Sequence, residues 1–169
     1  AGWSTGEEVV TMCVLLGEMG VLDNASIVGT DIDQDVLERA RAHRYSMKHM
    51  ELNEKNYRQS GGSRNLSKYY AEKNGYAVFH PSLFGSVTYK RHDLVTGGVF
   101  GKFHLILCRN VMIYFNEVLQ NDVLKKFHAS LLLDGFLSIG SKESLIWCQQ
   151  ANCFGATHSD EKIYRKVKD

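Results

Sequence analysis

Four groups of polar residues stand where strands should end. Glu7 and Glu8 close a glycine-containing turn, Gly2-Trp3-Ser4-Thr5-Gly6, that opens a helix. Asp31 follows the apolar run 25–30, and Asp93-Leu94 follows the alternating run 86–92. Arg109-Asn110 follows the apolar run Phe103-His104-Leu105-Ile106-Leu107-Cys108, which reads as a strand buried on both faces. Ligands of open α/β sheets bind beyond the carboxyl ends of the strands. The four stations are therefore expected along one sheet edge, around an elongated ligand with hydroxyls and an aromatic ring. Gly6 and Asp31 are 25 residues apart, with a helix and a strand between them. That is the spacing of a nucleotide-binding β-α-β unit, whose acid accepts from ribose hydroxyls. Two glutamates at the turn repel a pyrophosphate. A cofactor with no phosphate and a positive centre fits better.

The elements that must position these residues follow from the apolar periodicity. Val9, Val10, Met12, Cys13, Leu15, Leu16 and Met19 repeat at helical spacing. A strand over 25–30 leads to a helix over 34–42, with Asp33 as N-cap and Val36, Leu37 and Ala40 facing inward. From 44 to 85 the pattern breaks down, and five tyrosines (45, 57, 69, 70 and 76) are scattered among polar residues. Such a stretch is too long for a crossover loop, so an inserted subdomain is expected over about 45–85. Within it, 66–74 reads as a helix and 76–80 as a short strand. Asn116 caps a helix running to about 132, Asp134-Gly135 turns it into a strand over 136–139, and 154–157 with 163–167 form a hairpin. Strand–helix alternation closed by a hairpin gives an α/β fold with a mainly parallel sheet.

The chain has 169 residues, 44% hydrophobic and 23% charged, with net charge +1. This suits one domain with a real core. The basic cluster Lys162, Arg165, Lys166 and Lys168 reads as a solvated face, so nucleic acid is not an expected partner. Four cysteines without CxxC spacing read as free thiols in a reducing compartment. Neither they nor the seven histidines form a metal-ligand set, and no metal is expected. No signal peptide and no long apolar run is present, so a cytoplasmic protein without membrane insertion is expected. The chain opens in mid-motif, and an N-terminal segment is expected to precede Ala1. Gly2-x-Ser4-x-Gly6 matches a hydrolase nucleophile elbow, but that motif needs strands before it and tolerates no acidic pair beside it.

Four motifs in order resemble the CheR family of chemotaxis protein-glutamate O-methyltransferases. They are Gly2-Trp3-Ser4-Thr5-Gly6-Glu7-Glu8, Gly29-Thr30-Asp31-Ile32-Asp33, Cys108-Arg109-Asn110-Val111-Met112-Ile113-Tyr114-Phe115 and Gly140-Ser141-Lys142-Glu143-Ser144-Leu145. The resemblance covers essentially the whole chain. It implies a class I, Rossmann-like methyltransferase domain over 1–169, with a mainly parallel seven-stranded sheet, a C-terminal antiparallel hairpin and a small inserted subdomain. The implied cofactor is S-adenosylmethionine, with S-adenosylhomocysteine as product. Glu7, Asp31, Asp93, Leu94, Arg109 and Asn110 match the family's cofactor contacts; Arg109 and Tyr114 are the candidate catalytic residues. Trp3, Asp93 and Ser141-Lys142 depart from the family's usual small residue, Asn and His-Ser. The implied partner is a chemoreceptor-like protein, in some members docked through its C-terminal tail peptide on the insert. The alternative is a regulatory module that binds the cofactor without catalysis.

Overall fold

The computed structural model describes residues 2, 6–146 and 148–169. The predicted turn residues Trp3, Ser4 and Thr5 lie outside the described residues. Two compact units are present, Trp3–Arg91 and His92–Asp169, the latter with Ala1–Gly2.

In the first unit, Gly6 adopts φ +91 at the start of helix α1 (Glu7–Glu18). A residue with a Cβ is strained at such a φ, which accounts for glycine there. Val9, Val10, Cys13 and Val14 form the buried stripe of α1. Strand β1 (Ile27–Asp31) leads to α2 (Gln34–Arg41). Asp33 caps α2 as expected, its carboxylate accepting from the N–H groups of Asp35 and Val36. Leu37 and Ala40 are buried, and Val36 is half-buried. β1 pairs in parallel with β5 (Val87–Arg91), Asp31 opposite Arg91.

The insert is a three-stranded antiparallel sheet with a helix. Its elements are β2 (Arg44–Ser46), α3 (Met50–Gln59), β3 (Tyr70–Lys73) and β4 (Tyr76–Phe79), in sheet order β2-β4-β3. The helix expected over 66–74 is not there. Residues Leu66–Tyr69 make one 3₁₀ turn, and the chain then extends to pair with β4. Met50, Tyr57, Leu66, Ala77 and Phe79 share one buried cluster with the stripe of α1. Pairing and burial across the unit override the weak local helical pattern. The tyrosines pack: Tyr57 is buried, Tyr45, Tyr69 and Tyr70 lie partly buried against the cluster, and the Arg44 guanidinium sits 3.7 Å over the Tyr76 ring.

The second unit contains β6 (Phe103–Cys108), α4 (Glu117–Ser130), β7 (Leu131–Ile139), β8 (Phe154–His158) and β9 (Ile163–Lys166). Sheet order is β6-β7-β9-β8, with β6 and β7 parallel and β7-β9-β8 antiparallel. The expected hairpin is therefore present. The described strands form separate sheets of two, three and four strands, not one sheet of seven.

Three further expectations are corrected here. β6 is not buried on both faces: Leu105 is 40% exposed and only Cys108 is fully enclosed. β7 begins directly after α4, so Asp134-Gly135 lies inside the strand, where the register with β6 shifts and Asp134 takes φ +66. Lys166 does not belong to a solvated face. It is 2% exposed, and its ammonium donates to the carbonyls of His128 and Leu131 at the end of α4, with Asp169 at 2.8 Å. A buried lysine is tolerable only when so partnered, and here it satisfies carbonyls that the ending helix leaves open.

Candidate functional site

The first unit carries Glu7 and Asp31. Glu7 is exposed in the first turn of α1, and no side chain caps that helix. Asp31 ends β1, and its Oδ1 accepts from the Asp33 N–H at 3.0 Å. This bond aims the carboxylate along the β1–α2 turn, while Asp33 does the capping. Arg91 donates through Nε to the Ile32 carbonyl at 3.0 Å, tying the same turn to the end of β5. A cleft of about 280 Å³ lies between α1 and the insert, lined in part by Glu7, Thr11, Tyr45, Asn53 and Asn56. It contains none of the other predicted site residues.

Asp93, Leu94, Arg109, Asn110 and Tyr114 belong to the second unit. Asp93 is folded into its own turn. Its carboxylate accepts from the Val95 N–H at 2.8 Å and the Thr96 hydroxyl at 2.6 Å. These bonds, the Thr96 hydroxyl first, hold its carboxyl below the ordinary carboxylate range. Lys126 of α4 donates to the carbonyls of Leu94 (2.8 Å) and Val95. Leu94 is half-buried against the unit's core.

Arg109 and Asn110 are exposed directly after β6. Tyr114 follows in a 3₁₀ turn (Met112–Tyr114) and is 79% exposed, so it is not a core tyrosine. Asn110 sits in the left-handed region at φ +58, a conformation asparagine accepts more readily than most residues. Because β6 and β7 are parallel with Cys108 opposite Ile139, the chain leaves both strands side by side. The residues after β7 thereby meet the residues after β6. The Glu143 carboxylate, 5% exposed, accepts from the N–H groups of Asn110, Val111, Met112 and Ile113 at 2.7 to 3.3 Å. It also accepts from the Gly140 N–H at 2.5 Å. On the other side, Gln120 of α4 donates to the carbonyls of Met112 and Phe115 at 3.1 and 3.0 Å. Glu143 stands in the fourth of the family motifs, but the sequence assigned it no role in the site. The available signal was an acid two residues past the Gly140-Ser141 strand exit, on the same sheet edge as Arg109.

Fold and family now have direct support. The TehB-like S-adenosylmethionine-dependent methyltransferase of Corynebacterium glutamicum is similar to this chain with a TM-score of 0.50 at 14% identity, over 99% of this chain and 77% of that one. The fold is accordingly the α/β fold of class I S-adenosylmethionine-dependent methyltransferases. The family model described as "CheR methyltransferase, SAM binding domain" matches residues 1–163, and the chain belongs to that family. It is 44% identical over 166 residues to the Cher3 protein of Pseudomonas putida, covering 98% of this chain and 61% of that protein. With the chemotaxis protein methyltransferase of Listeria innocua it shares 31% identity over 147 residues, covering 86% of this chain and 53% of the relative. The chain thus spans a little over half the length of these relatives.

S-adenosylmethionine is the cofactor of this family domain. The residues present suit it. The first turn of α1 carries Glu7 and Glu8, which favour a positive centre and disfavour phosphate. In the first unit Asp31 carries a half-exposed carboxylate at the end of β1, and in the second Leu94 is half-buried. Among the described residues, no group of three or more His, Cys, Asp or Glu could hold a metal ion, and no helix is long and apolar enough to cross a membrane.

Proposed function

We propose that this chain is the cofactor-binding domain of a cytoplasmic protein-glutamate O-methyltransferase acting on a chemoreceptor-like protein. Family membership supports the methyltransferase class. The single observation that carries the finer reading is that Arg109 and Tyr114 are both exposed residues on one braced loop after β6. A cation and a hydroxyl donor so placed suit a carboxylate acceptor. Glu7, Asp31, Leu94, Arg109 and Asn110 are the proposed cofactor contacts. For Asp93, whose carboxylate already serves its own turn, the proposed role is to fix the turn that presents Leu94. The single domain over 1–169 with its insert at 45–85 belongs to the same reading. Docking of a receptor tail on that insert does too.

When bound, S-adenosylmethionine supplies an electrophilic methyl group on a positive sulfonium. The protein's own residues have little proton chemistry to perform. A glutamate side chain has a pKa near 4.3 and is ionised at neutral pH, so no general base is required. The proposed work of Arg109 is to orient the substrate carboxylate, and that of Tyr114 is to donate to it from the rim. Orientation and exclusion of water contribute up to about 7–11 kcal/mol in such reactions.

The complete protein, incubated with methyl-labelled cofactor and receptor and then treated with base, is expected to release volatile labelled methanol. Cofactor binding without methanol would favour the non-catalytic binding module. No cofactor binding would sink both readings. Asp31→Ala should weaken cofactor binding at least about tenfold by calorimetry, the loss of one hydrogen bond to a charged acceptor. Unchanged affinity would refute Asp31 as the ribose acceptor.

A further inference from the structure

Residues Asn110, Val111, Met112 and Ile113 point four successive N–H groups at one place. The backbone makes this possible: Asn110 is left-handed at φ +58, and Val111 returns to the right-handed region at φ −116, ψ −46. Alternation of these two conformations forms a concave anion-binding nest. The anion in it is the protein's own Glu143 carboxylate. Its Oε1 serves Val111, Met112 and Ile113, and its Oε2 serves Asn110 and Gly140. Glu143 itself is held by its N–H, which donates to the Gly140 carbonyl at 2.9 Å. Gly140 is required for the approach, since a Cβ there would lie 2.8 Å from both the Asn110 nitrogen and Glu143 Oε2.

The nest spans the residues between Asn110 and Tyr114. We infer that Glu143 is a positioning residue of the methyl-transfer site: its carboxylate fills the nest and fixes the backbone from which Arg109, Asn110 and Tyr114 project. This inference rests on the function proposed above. Glu143 does not touch substrate in this scheme. It is buried, and its oxygens are engaged by the loop. Its charge matters because five N–H donors converge on it. A glutamine of the same shape has one acceptor oxygen, and its amide hydrogens would face N–H donors.

The test uses the complete protein and two readouts. Hydrogen–deuterium exchange by NMR reads the amides of residues 110–113 without any turnover. In the wild type they are expected to exchange far more slowly than the exposed turn amide of Gly75. Glu143→Gln and Glu143→Ala should raise their exchange at least tenfold while the amides of α4 stay protected. The methanol assay should show kcat falling at least tenfold in both variants, with KM for receptor changed less than threefold. Formate or acetate at tens of millimolar should restore part of the protection and of the activity to Glu143→Ala, whereas chloride at equal ionic strength should not. Glu143→Asp, which keeps the charge, should lie between wild type and Glu143→Gln. Rapid exchange at 110–113 in the wild type would overturn the inference. So would losses in the variants that merely follow the melting temperature and are not rescued by carboxylate. A wild-type protein that releases no methanol would instead refute the proposed activity, leaving the exchange experiment to judge the nest.

Discussion

Replacing Gly140 by alanine probes the crossing of the two strand exits with a single methyl group. An added Cβ would lie 2.7 Å from Asn110 Oδ1, 2.8 Å from the Asn110 nitrogen and 2.8 Å from Glu143 Oε2. The amide oxygen of Asn110 can rotate away. The Asn110 backbone and the Glu143 carboxylate cannot move apart from the Cβ without loosening the bonds to Glu143 Oε2 from Asn110 and Gly140. Each hydrogen bond to a charged group contributes about 1.5–3 kcal/mol. Overpacking a close contact typically costs about 1–3 kcal/mol after relaxation. The expected destabilisation is therefore about 2–4 kcal/mol, read as a lower urea midpoint at unchanged slope. Gly85→Ala is the control, because a Cβ there meets nothing within 4 Å and its backbone is right-handed at φ −58. That variant should stay within about 0.5 kcal/mol of wild type. Cofactor titration should show weaker binding for Gly140→Ala, since Arg109 and Asn110 would be displaced, and no change for Gly85→Ala. Equal stability and equal cofactor affinity of the two variants would refute the close approach of the loops.

Two more outcomes separate structural residues from functional ones. His43 stacks on Phe84 at 3.4 Å and bonds the Tyr89 hydroxyl at 3.0 Å, and burial lowers its pKa from 6.5 to about 4. Between those values the unfolded chain takes up a proton that the folded chain does not. Stability should therefore fall as pH drops from about 6.5 towards 4, by about 1–2 kcal/mol once solvent screening of the half-buried ring is allowed for. Urea midpoints of wild type and His43→Phe across that range check this, and an equally steep loss in the variant would contradict it. Asp33→Ala removes the cap of α2 and should cost about 1 kcal/mol of stability. Its cofactor affinity should stay within about twofold of wild type by calorimetry, in contrast to Asp31→Ala.

The ends of β1, β5 and β6, the Asp33 cap and the Asn116 cap were all legible in the sequence, because each depends on residues a few positions apart. Asn116 indeed accepts from the Leu119 N–H at 3.0 Å. The insert was less legible. α3 buries only Met50 and Tyr57, too few to announce a helix, and 66–74 carries a local helical pattern that pairing with β4 overrides. Asp134-Gly135 reads as a turn for the same reason, although the structure places it within β7.

What the sequence by itself determined is which residues could do chemistry: the acids after the first turn and β1, and the Arg109-Asn110 pair after the apolar strand. Family motifs sharpened that choice to a cofactor and a reaction class. What only the tertiary structure decided is how the Arg109 loop is held. Glu143 lies some thirty residues from the amides it binds, Gln120 reaches back from α4, and Lys126 pins the Asp93 turn. No local periodicity encodes such contacts. They arise when parallel strands bring distant chain exits together and unpaired backbone N–H groups must find an acceptor away from water.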